Sequence, residues 1–250
     1  MNKFNLVMEA EYVTLIKDLF RTVTFLSVFH THKRKNMESL EEDREGERLH
    51  NSVDHGAECG LQATLKKYAC ELTLDPNTAH RKLILFEGNR KVRRAEEEQL
   101  YFDHPERFEK WSQVLCREGL TGRCYWEVEW TGQEIRIGVT YKGICRRGLG
   151  YECGIGHNDM SWSLSCYDDY FNARHNKENI TVPAPSSRSH RVGVFLDWPA
   201  GTLSFYSVSS DTLTHLHTFH NKFTEPLYPG FRMWYRGSSV SLCKTTAGEG

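Results

Sequence analysis

Apolar and polar residues alternate along several short runs in the C-terminal two-thirds of the chain, which is the pattern of antiparallel strands. In the string GRCYWEVEW, Trp126, Val128 and Trp130 alternate with Glu127 and Glu129. A period of two places the apolar side chains on one face of a strand and the carboxylates on the other. The string therefore predicts a half-buried strand whose tryptophan face belongs to the core.

The same alternation begins again a few residues later. Ile135, Ile137 and Val139 are the apolar positions of a second predicted strand. The connection over residues 131–133 reads TGQ and is short enough to join the two strands directly. The sequence therefore predicts that these two strands form a β-hairpin.

Another hairpin is predicted in the string VGVFLDWPAGTLSFY. Val192, Val194 and Leu196 alternate before the residues DWPAG, and the alternation resumes at Leu203 and Phe205. Proline and glycine close together favour a hairpin loop over a continuous strand. Several short β-rich runs separated by turn residues, with almost no helical period, predict an all-β sandwich or barrel.

The beginning of the chain has a different pattern. Val13, Ile16, Phe20 and Val23 recur at helical spacing, which predicts a short amphipathic helix within residues 1–32. Packing of this helix on its own domain and binding to a partner or to a membrane surface both fit the spacing. The charged residues between its apolar positions predict that it does not span a membrane.

Residues 33–63 are rich in charged and small polar residues, and acidic residues are crowded between positions 38 and 47. Such a composition buries too little apolar surface to offset the entropy of ordering. A disordered charged linker is therefore predicted for residues 33–63. One folded domain is predicted to follow over residues 64–246.

Charge and cysteine spacing argue against several classes of function. Lysine plus arginine number 32 and aspartate plus glutamate number 33, so no overall field draws the chain onto nucleic acid or an anionic membrane. The eight cysteines are widely spread, include no Cys-x-x-Cys pair and are predicted to be reduced thiols of a cytoplasmic protein. Cys145, Cys153 and His157 come nearest to a metal site, but three loosely spaced ligands do not predict a zinc centre.

Motifs of catalysis are equally scarce in the sequence. The glycine-containing strings GLG and GIG lack the spacing of a nucleotide-binding loop, and no nucleophile elbow of the form G-x-S-x-G supports a catalytic triad. The sequence therefore predicts no cofactor and no metal, and the chain is not expected to be an enzyme.

Four strings in a fixed order carry a resemblance to a known family. They are LDPNTAHRKL, GRCYWEVEW, VGVFLDWPAGTLSFY and PLYPGF, and together they resemble a PRY-SPRY domain running from near Cys70 to about Lys244. The resemblance implies a bent two-sheet antiparallel sandwich. It also implies a non-catalytic module that recognises a protein or peptide ligand through the loops at one end.

The stretch VDHGAECGLQATLKKYACELTLDPNTA resembles the junction between a leucine-rich-repeat array and a PRY-SPRY domain in fish-type NACHT receptors. Similar modules form the C-terminal part of tripartite-motif proteins and of stonustoxin-like subunits. The first resemblance implies recognition in cytosolic innate immune sensing. The other two leave open an accessory domain of a pore-forming protein, or the substrate-recognition domain of a tripartite-motif ubiquitin ligase.

Arginine and aromatic residues in the connections between strands are the candidates for ligand binding, because such side chains carry much of the energy of protein interfaces. The resemblance places four of these connections on one recognition surface. The predicted ligand-binding residues are Arg93, Arg94, Arg146, Arg147, Tyr167, Asp169, Tyr170, Trp234 and Tyr235. The tryptophans predicted to belong to the core are Trp111, Trp126, Trp130 and Trp162.

Overall fold

The structure, a computed structural model, describes residues 60–187, 189–210 and 212–244. The predicted helix within residues 1–32 lies outside the described residues, and so does the predicted linker as far as residue 59. A helix covers residues 60–66, and a 3-10 helix covers Tyr151–Cys153. The strands are β1 (Leu83–Phe86), β2 (Lys91–Arg94), β3 (Gln113–Leu115), β4 (Arg123–Thr131), β5 (Ile135–Tyr141), β6 (Ser161–Cys166), β7 (Tyr170–His175), β8 (Glu178–Pro183), β9 (Arg191–Asp197), β10 (Thr202–Val208), β11 (Leu213–His220), β12 (Leu227–Met233) and β13 (Ser239–Leu242).

These strands form two antiparallel sheets. A seven-stranded sheet has the order β1-β2-β13-β4-β9-β10-β11, and a six-stranded sheet has the order β3-β12-β5-β6-β7-β8. The apolar faces of both sheets contribute to one hydrophobic core, in which β4, β9 and β10 face β5, β6 and β12. The prediction of an all-β, two-sheet antiparallel sandwich is confirmed.

Strand β4 shows why its sequence folds in this way. Trp126, Val128 and Trp130 are buried in the core, as the alternation predicts. Glu127, predicted to face solvent, is only 3% exposed. The hydroxyl of Tyr125 donates a hydrogen bond of 2.9 Å to Glu127 Oε1, which partly satisfies the buried carboxylate. The outer face of the seven-stranded sheet is therefore partly covered.

The helix over residues 60–66 supplies part of this cover. It begins four residues before the predicted domain boundary at residue 64, so the last residues of the predicted linker are helical. Its Leu65 is buried in a small cluster with Tyr125 and Tyr206 on the outer side of the sheet. The helix is therefore anchored to the sandwich by one apolar side chain.

Leu65→Ala is expected to lower the free energy of unfolding by about 2–3 kcal/mol, because it removes a buried side chain from this small cluster. Denaturant unfolding measures the change. The exposed Leu61 on the same helix gives a matched control, and Leu61→Ala should cost less than about 0.5 kcal/mol. Equal, small effects of the two substitutions would show that the helix is not anchored.

The connection between β4 and β5 does not form the predicted hairpin. Strand β4 belongs to the seven-stranded sheet and β5 to the six-stranded sheet, so residues 132–134 carry the chain across the sandwich. Gly132 has a φ of +92°, and a Cβ there would lie 2.9 Å from the Cα of Ser238. The crossing needs a left-handed residue without a side chain, which glycine supplies.

The hairpin predicted at DWPAG is confirmed. Strands β9 and β10 pair directly, with Asp197 opposite Thr202. The amide of Ala200 donates a hydrogen bond of 3.0 Å to Asp197 Oδ1, and Gly201 has a φ of +71°. Asp197, the first residue of the turn, therefore stabilises the turn by accepting this hydrogen bond.

Four cysteines are paired, which corrects the prediction that all of them are reduced thiols. Cys70 is bonded to Cys124, with 5.6 Å between their Cα atoms, and Cys145 is bonded to Cys153, with 4.3 Å between theirs. The spacing along the sequence hides the first pair because its members are 54 residues apart. The other cysteines among the described residues, Cys116, Cys166 and Cys243, are free.

Candidate functional site

Two of the predicted ligand-binding arginines lie in a strand and not in a loop. Arg93 and Arg94 end β2, where the buried Val92 fixes the alternation. Arg93 is exposed on the opposite face from Val92. Arg94 donates a hydrogen bond of 2.5 Å to the carbonyl of Trp234 and so supports the segment that follows β12.

Arg146 and Arg147 lie in the connection that leaves β5. The guanidinium of Arg146 sits 4.5 Å above the ring of Phe108 and donates hydrogen bonds to the carbonyls of Ile144 and Lys142. It therefore shapes its own loop. Arg147 is exposed and forms an ion pair of 3.0 Å with Glu109.

Tyr167 and Asp169 lie in the tight turn between β6 and β7, and Tyr170 is the first residue of β7. The rings of Tyr167 and Tyr170 stack with 4.4 Å between their centroids, and Asp169 is exposed at the tip. Burial raises the pKa of the Tyr167 hydroxyl, and the carboxylate of Glu134, to which it is hydrogen bonded, raises it further. Phe171, the next residue along, is buried in the core and is not available to a ligand.

Trp234 and Tyr235 follow β12, as predicted, and the end of that strand carries the centre of the site. The guanidinium of Arg232 lies 4.3 Å from the ring of Trp111 and 5.0 Å from the ring of Trp234. Trp111 is half-buried beside this guanidinium, so its predicted place in the core is wrong. Trp234 is 38% exposed. The two indoles form walls that hold a planar cation between them.

Two further arginines share the outer face of the six-stranded sheet with Arg232. Arg136 in β5 lies opposite Arg232 in β12, and Arg174 in β7 lies opposite Ser163 in β6. Arg136 donates hydrogen bonds to Ser165 Oγ and to the carbonyl of Ile155. We call Arg136, Arg174 and Arg232, with Trp111 and Trp234, the arginine face.

His157 lies between two of these cations. Its Nδ1 is 3.2 Å from Arg174 Nη1, and its Nε2 is 3.5 Å from Arg232 Nη1. Burial, and then the three arginines, hold the pKa of His157 well below its usual range, so the ring is neutral. A neutral imidazole has only one acceptor nitrogen. One of the two guanidinium groups therefore faces a ring N–H that cannot accept its hydrogen bond.

The arginine face has more hydrogen-bond donors than acceptors. Burial, and then Arg136, lower the pKa of Arg232 to about 9, which leaves it charged at neutral pH. Its Nε is buried and has no hydrogen-bond partner among the described residues. Glu134, 3.5 Å from Arg136, is the carboxylate close to the cluster. An acceptor from a ligand would satisfy the donors that remain.

Little in the sequence points to this cluster. Arg136, Arg174 and Arg232 occupy outward positions of three different strands, where a polar residue ordinarily faces solvent. The alternation around Arg136 is visible in the sequence, but the sheet order that brings the three together is not. His157 was considered only as a zinc ligand, whereas the structure places it between two arginines.

One group of described residues has the composition of a metal site, namely Cys145, Glu152 and Cys153, whose ligand atoms lie within 4.8 Å of one another. The two sulfurs are bonded to each other and do not act as thiolate ligands in this state. Within the described residues, no helix has the length and apolar character needed to cross a membrane.

The geometry thus defines a class of protein: an antiparallel two-sheet sandwich with a polar and aromatic face beside its loops. Family models match twice, the SPRY-associated domain PRY over residues 72–120 and the SPRY domain over residues 123–245. The chain belongs to the PRY-SPRY family. SPRY domains mediate protein binding.

Relatives come from two kinds of protein. The chain is 46% identical to stonustoxin subunit beta of Synanceia horrida over 67% of this chain and 24% of the subunit. It is 42% identical to tripartite motif-containing protein 16 of Mus musculus over 70% of this chain and 32% of that protein. The chain therefore spans about a quarter to a third of the length of these relatives.

Solved structures show the same two groups. A stonustoxin structure aligns with a TM-score of 0.65 at 44% identity, over 72% of this chain and 28% of that one. A TRIM65 PSpry domain aligns with a TM-score of 0.66 at 33% identity, over 73% of this chain and 95% of that one. The sandwich is thus shared with proteins of very different overall architecture.

Proposed function

We propose that this chain is a non-catalytic recognition module that binds a protein or peptide segment carrying a carboxylate, with the carboxylate seated at the arginine face. The observation that supports it most directly is Arg232, which lies against Trp111 and Trp234 and whose buried Nε has no hydrogen-bond partner within the part of the chain that the structure describes. A guanidinium fork matches a carboxylate with two parallel hydrogen bonds. Tryptophan and arginine are also the residues that most often dominate protein interfaces.

The predicted ligand-binding residues divide into two groups under this proposal. Trp234, Tyr235, Tyr167 and Tyr170 surround the arginine face or adjoin it through Glu134. Arg94 supports Trp234 from behind. The second group, Asp169, Arg146, Arg147 and Arg93, would contribute at the rim or not at all.

We further propose a cytoplasmic role in innate immune sensing, which is supported by the resemblance of the upstream stretch to NACHT receptors and by the tripartite-motif relatives. Substrate recognition for a tripartite-motif ubiquitin ligase is a close variant of this role. The stonustoxin relatives favour a second candidate, an accessory domain of a pore-forming protein. Each role uses the module to bind another protein.

The binding proposal is tested with the full chain and a library of immobilised peptides that contain aspartate or glutamate, each paired with its asparagine or glutamine counterpart. Acidic peptides are expected to bind better than their amide counterparts. Arg232→Ala should weaken the best peptides by about 1–3 kcal/mol in isothermal titration, and Arg232→Lys should restore only part of the loss because lysine lacks the fork.

Arg117, which is exposed on the segment after β3, provides the matched control for the binding test. Arg117→Ala should leave the affinity unchanged. Circular dichroism of each variant checks that the fold is intact. Peptides that bind without preference for the carboxylate, or that bind the Arg232 variants as well as the parent, would refute the proposal.

A further inference from the structure

The bonded pair Cys145 and Cys153 lies in the long connection between β5 and β6. Cys145 is half-buried in the loop that leaves β5, and Cys153 is fully buried at the end of the 3-10 helix. Cys153 lies eight positions after Cys145 along the chain. An external thiol can therefore reach one sulfur of the pair more readily than the other.

The loop between the two cysteines is shaped around their sulfur atoms. Gly148 has a φ of +143°, and a Cβ there would lie 3.2 Å from Cys153 Sγ and 3.4 Å from Glu152 Oε1. A Cβ on Gly150 would collide with the carboxylate of Glu152. The glycines that the sequence shows as a plain GLG string thus allow the backbone to wrap closely over the pair.

The two halves of the connection are held very differently. On the Cys153 side, Gln113 Nε2 donates to the carbonyl of Cys153, and Asn158 Nδ2 donates to the carbonyls of Tyr151, Glu152 and Gly154. These side-chain bonds do not depend on the disulfide. They fix the backbone from the 3-10 helix onward.

On the Cys145 side, the segment that follows is exposed. Arg147 and Leu149 are both exposed, and the side chain of Arg147 forms a surface ion pair with Glu109. Surface ion pairs of this kind contribute little to stability. Arg146 is anchored by a main-chain hydrogen bond from Glu109 and by its contact with Phe108, and the disulfide adds the covalent link between this segment and the fixed half of the connection.

We propose that Cys145 and Cys153 form a reversible thiol–disulfide couple. Cys145 exchanges with external thiols, and Cys153 resolves the mixed disulfide that forms. The redox state of the couple determines how well ordered residues 145–150 are. Glutathione, the low-molecular-weight thiol of cells, supplies both directions of the reaction. The couple does not depend on which ligand the arginine face binds.

The oxidation step balances as follows. The Cys145 thiolate attacks one sulfur of glutathione disulfide, forms a mixed disulfide and expels a glutathione thiolate. The Cys153 thiolate then attacks the Cys145 sulfur, forms the protein disulfide and expels the second glutathione thiolate. The two protons lost by the protein thiols go to the two glutathione thiolates. Two glutathione thiols reverse the reaction.

The second disulfide of the chain provides an internal control. Cys70 and Cys124 join the segment before β1 to strand β4, beside a hydrogen bond of 3.0 Å from the Cys70 amide to the Tyr125 carbonyl and one of 2.8 Å from the Tyr125 amide to the Tyr68 carbonyl. Main-chain bonds hold these two segments together in either redox state. Reduction of the Cys70–Cys124 disulfide should therefore not loosen residues 145–150.

The experiment equilibrates the full chain in a series of glutathione redox buffers containing a chelator, quenches with an alkylating reagent and maps each cysteine by peptide mass spectrometry. Cys145 and Cys153 are expected to become alkylated together over an intermediate range of buffers.

A second readout uses trypsin, because Arg146 and Arg147 are cleavage sites inside the loop. Cleavage there should be about tenfold faster in the reduced protein, since it requires local opening.

Two variants make the outcome decisive. Cys145→Ser should be cleaved at the fast rate in reducing and oxidising buffers alike, and Cys70→Ser should keep the redox response of the parent. Alkylation of Cys145 independently of Cys153 would overturn the proposal. So would a cleavage rate at Arg146 and Arg147 that is the same in both redox states.

Discussion

Trp126→Ala is expected to lower the free energy of unfolding by about 3–5 kcal/mol, because the indole is buried at the centre of β4 and its removal leaves a cavity between the sheets. The neighbouring core side chains come from regular strands and cannot collapse fully into the space. Denaturant unfolding followed by fluorescence and by circular dichroism measures the loss.

Trp234→Ala makes the same chemical change at a partly exposed position and serves as the matched control. It should cost about 1 kcal/mol or less, since little cavity forms at the surface. If the two substitutions destabilised the protein equally, the assignment of Trp126 to the core and Trp234 to the binding surface would be wrong.

Arg107→Ala is expected to cost about 3 kcal/mol, which is a large effect for a polar side chain. Arg107 is only 6% exposed, and its guanidinium donates to the carbonyls of Pro76, Ala79 and Phe102 at 2.6–3.3 Å. Its removal would strip three carbonyls of their donor, of which that of Ala79 is buried, and the loss of a buried partner costs about 1–3 kcal/mol.

The same unfolding measurement applied to Arg117→Ala provides the reference for Arg107, because Arg117 is exposed. Its replacement should change stability by less than about 0.5 kcal/mol. A loss for Arg107→Ala no larger than this would show that its hydrogen bonds to the carbonyls of Pro76, Ala79 and Phe102 carry no net stability.

The fold was largely predictable because the alternation of apolar and polar residues along each strand identifies the side chains that form the core of a sandwich. Trp126, Val128 and Trp130 identify their own buried face, and the turn at DWPAG contains the proline and glycine of a hairpin. Alternation states which face of a strand is buried but not which strand lies beside it. For that reason the connection after β4 was predicted as a hairpin, although it crosses between sheets.

The arginine face was not predictable by the same reasoning. Its cations come from β5, β7 and β12, and only the order of the six-stranded sheet makes them neighbours. Outward arginines in separate strands look like ordinary solvent-facing positions. Arg146 is an arginine in a loop, as the sequence predicts, but its guanidinium binds carbonyl groups of that same loop.

The disulfides show a similar limit. A spacing of eight residues between Cys145 and Cys153 fits a loop of free thiols as well as a bonded pair. The choice depends on how tightly the intervening backbone turns, and that turn depends on Gly148 in a left-handed conformation. Composition alone cannot supply such information.

The place of β13 in the seven-stranded sheet has a consequence for synthesis of the protein. Strand β13 (Ser239–Leu242) lies between β2 and β4, so the first hairpin of the domain is connected to β4 through this strand. When synthesis has reached only residue 238, the edge of β4 that pairs with β13 is unpaired. The β1–β2 hairpin then has no strand beside β2 to pair with. Unpaired strand edges of this kind are prone to aggregation. Completion of the sheet, and with it the whole sandwich, thus reports that translation has passed the final strand.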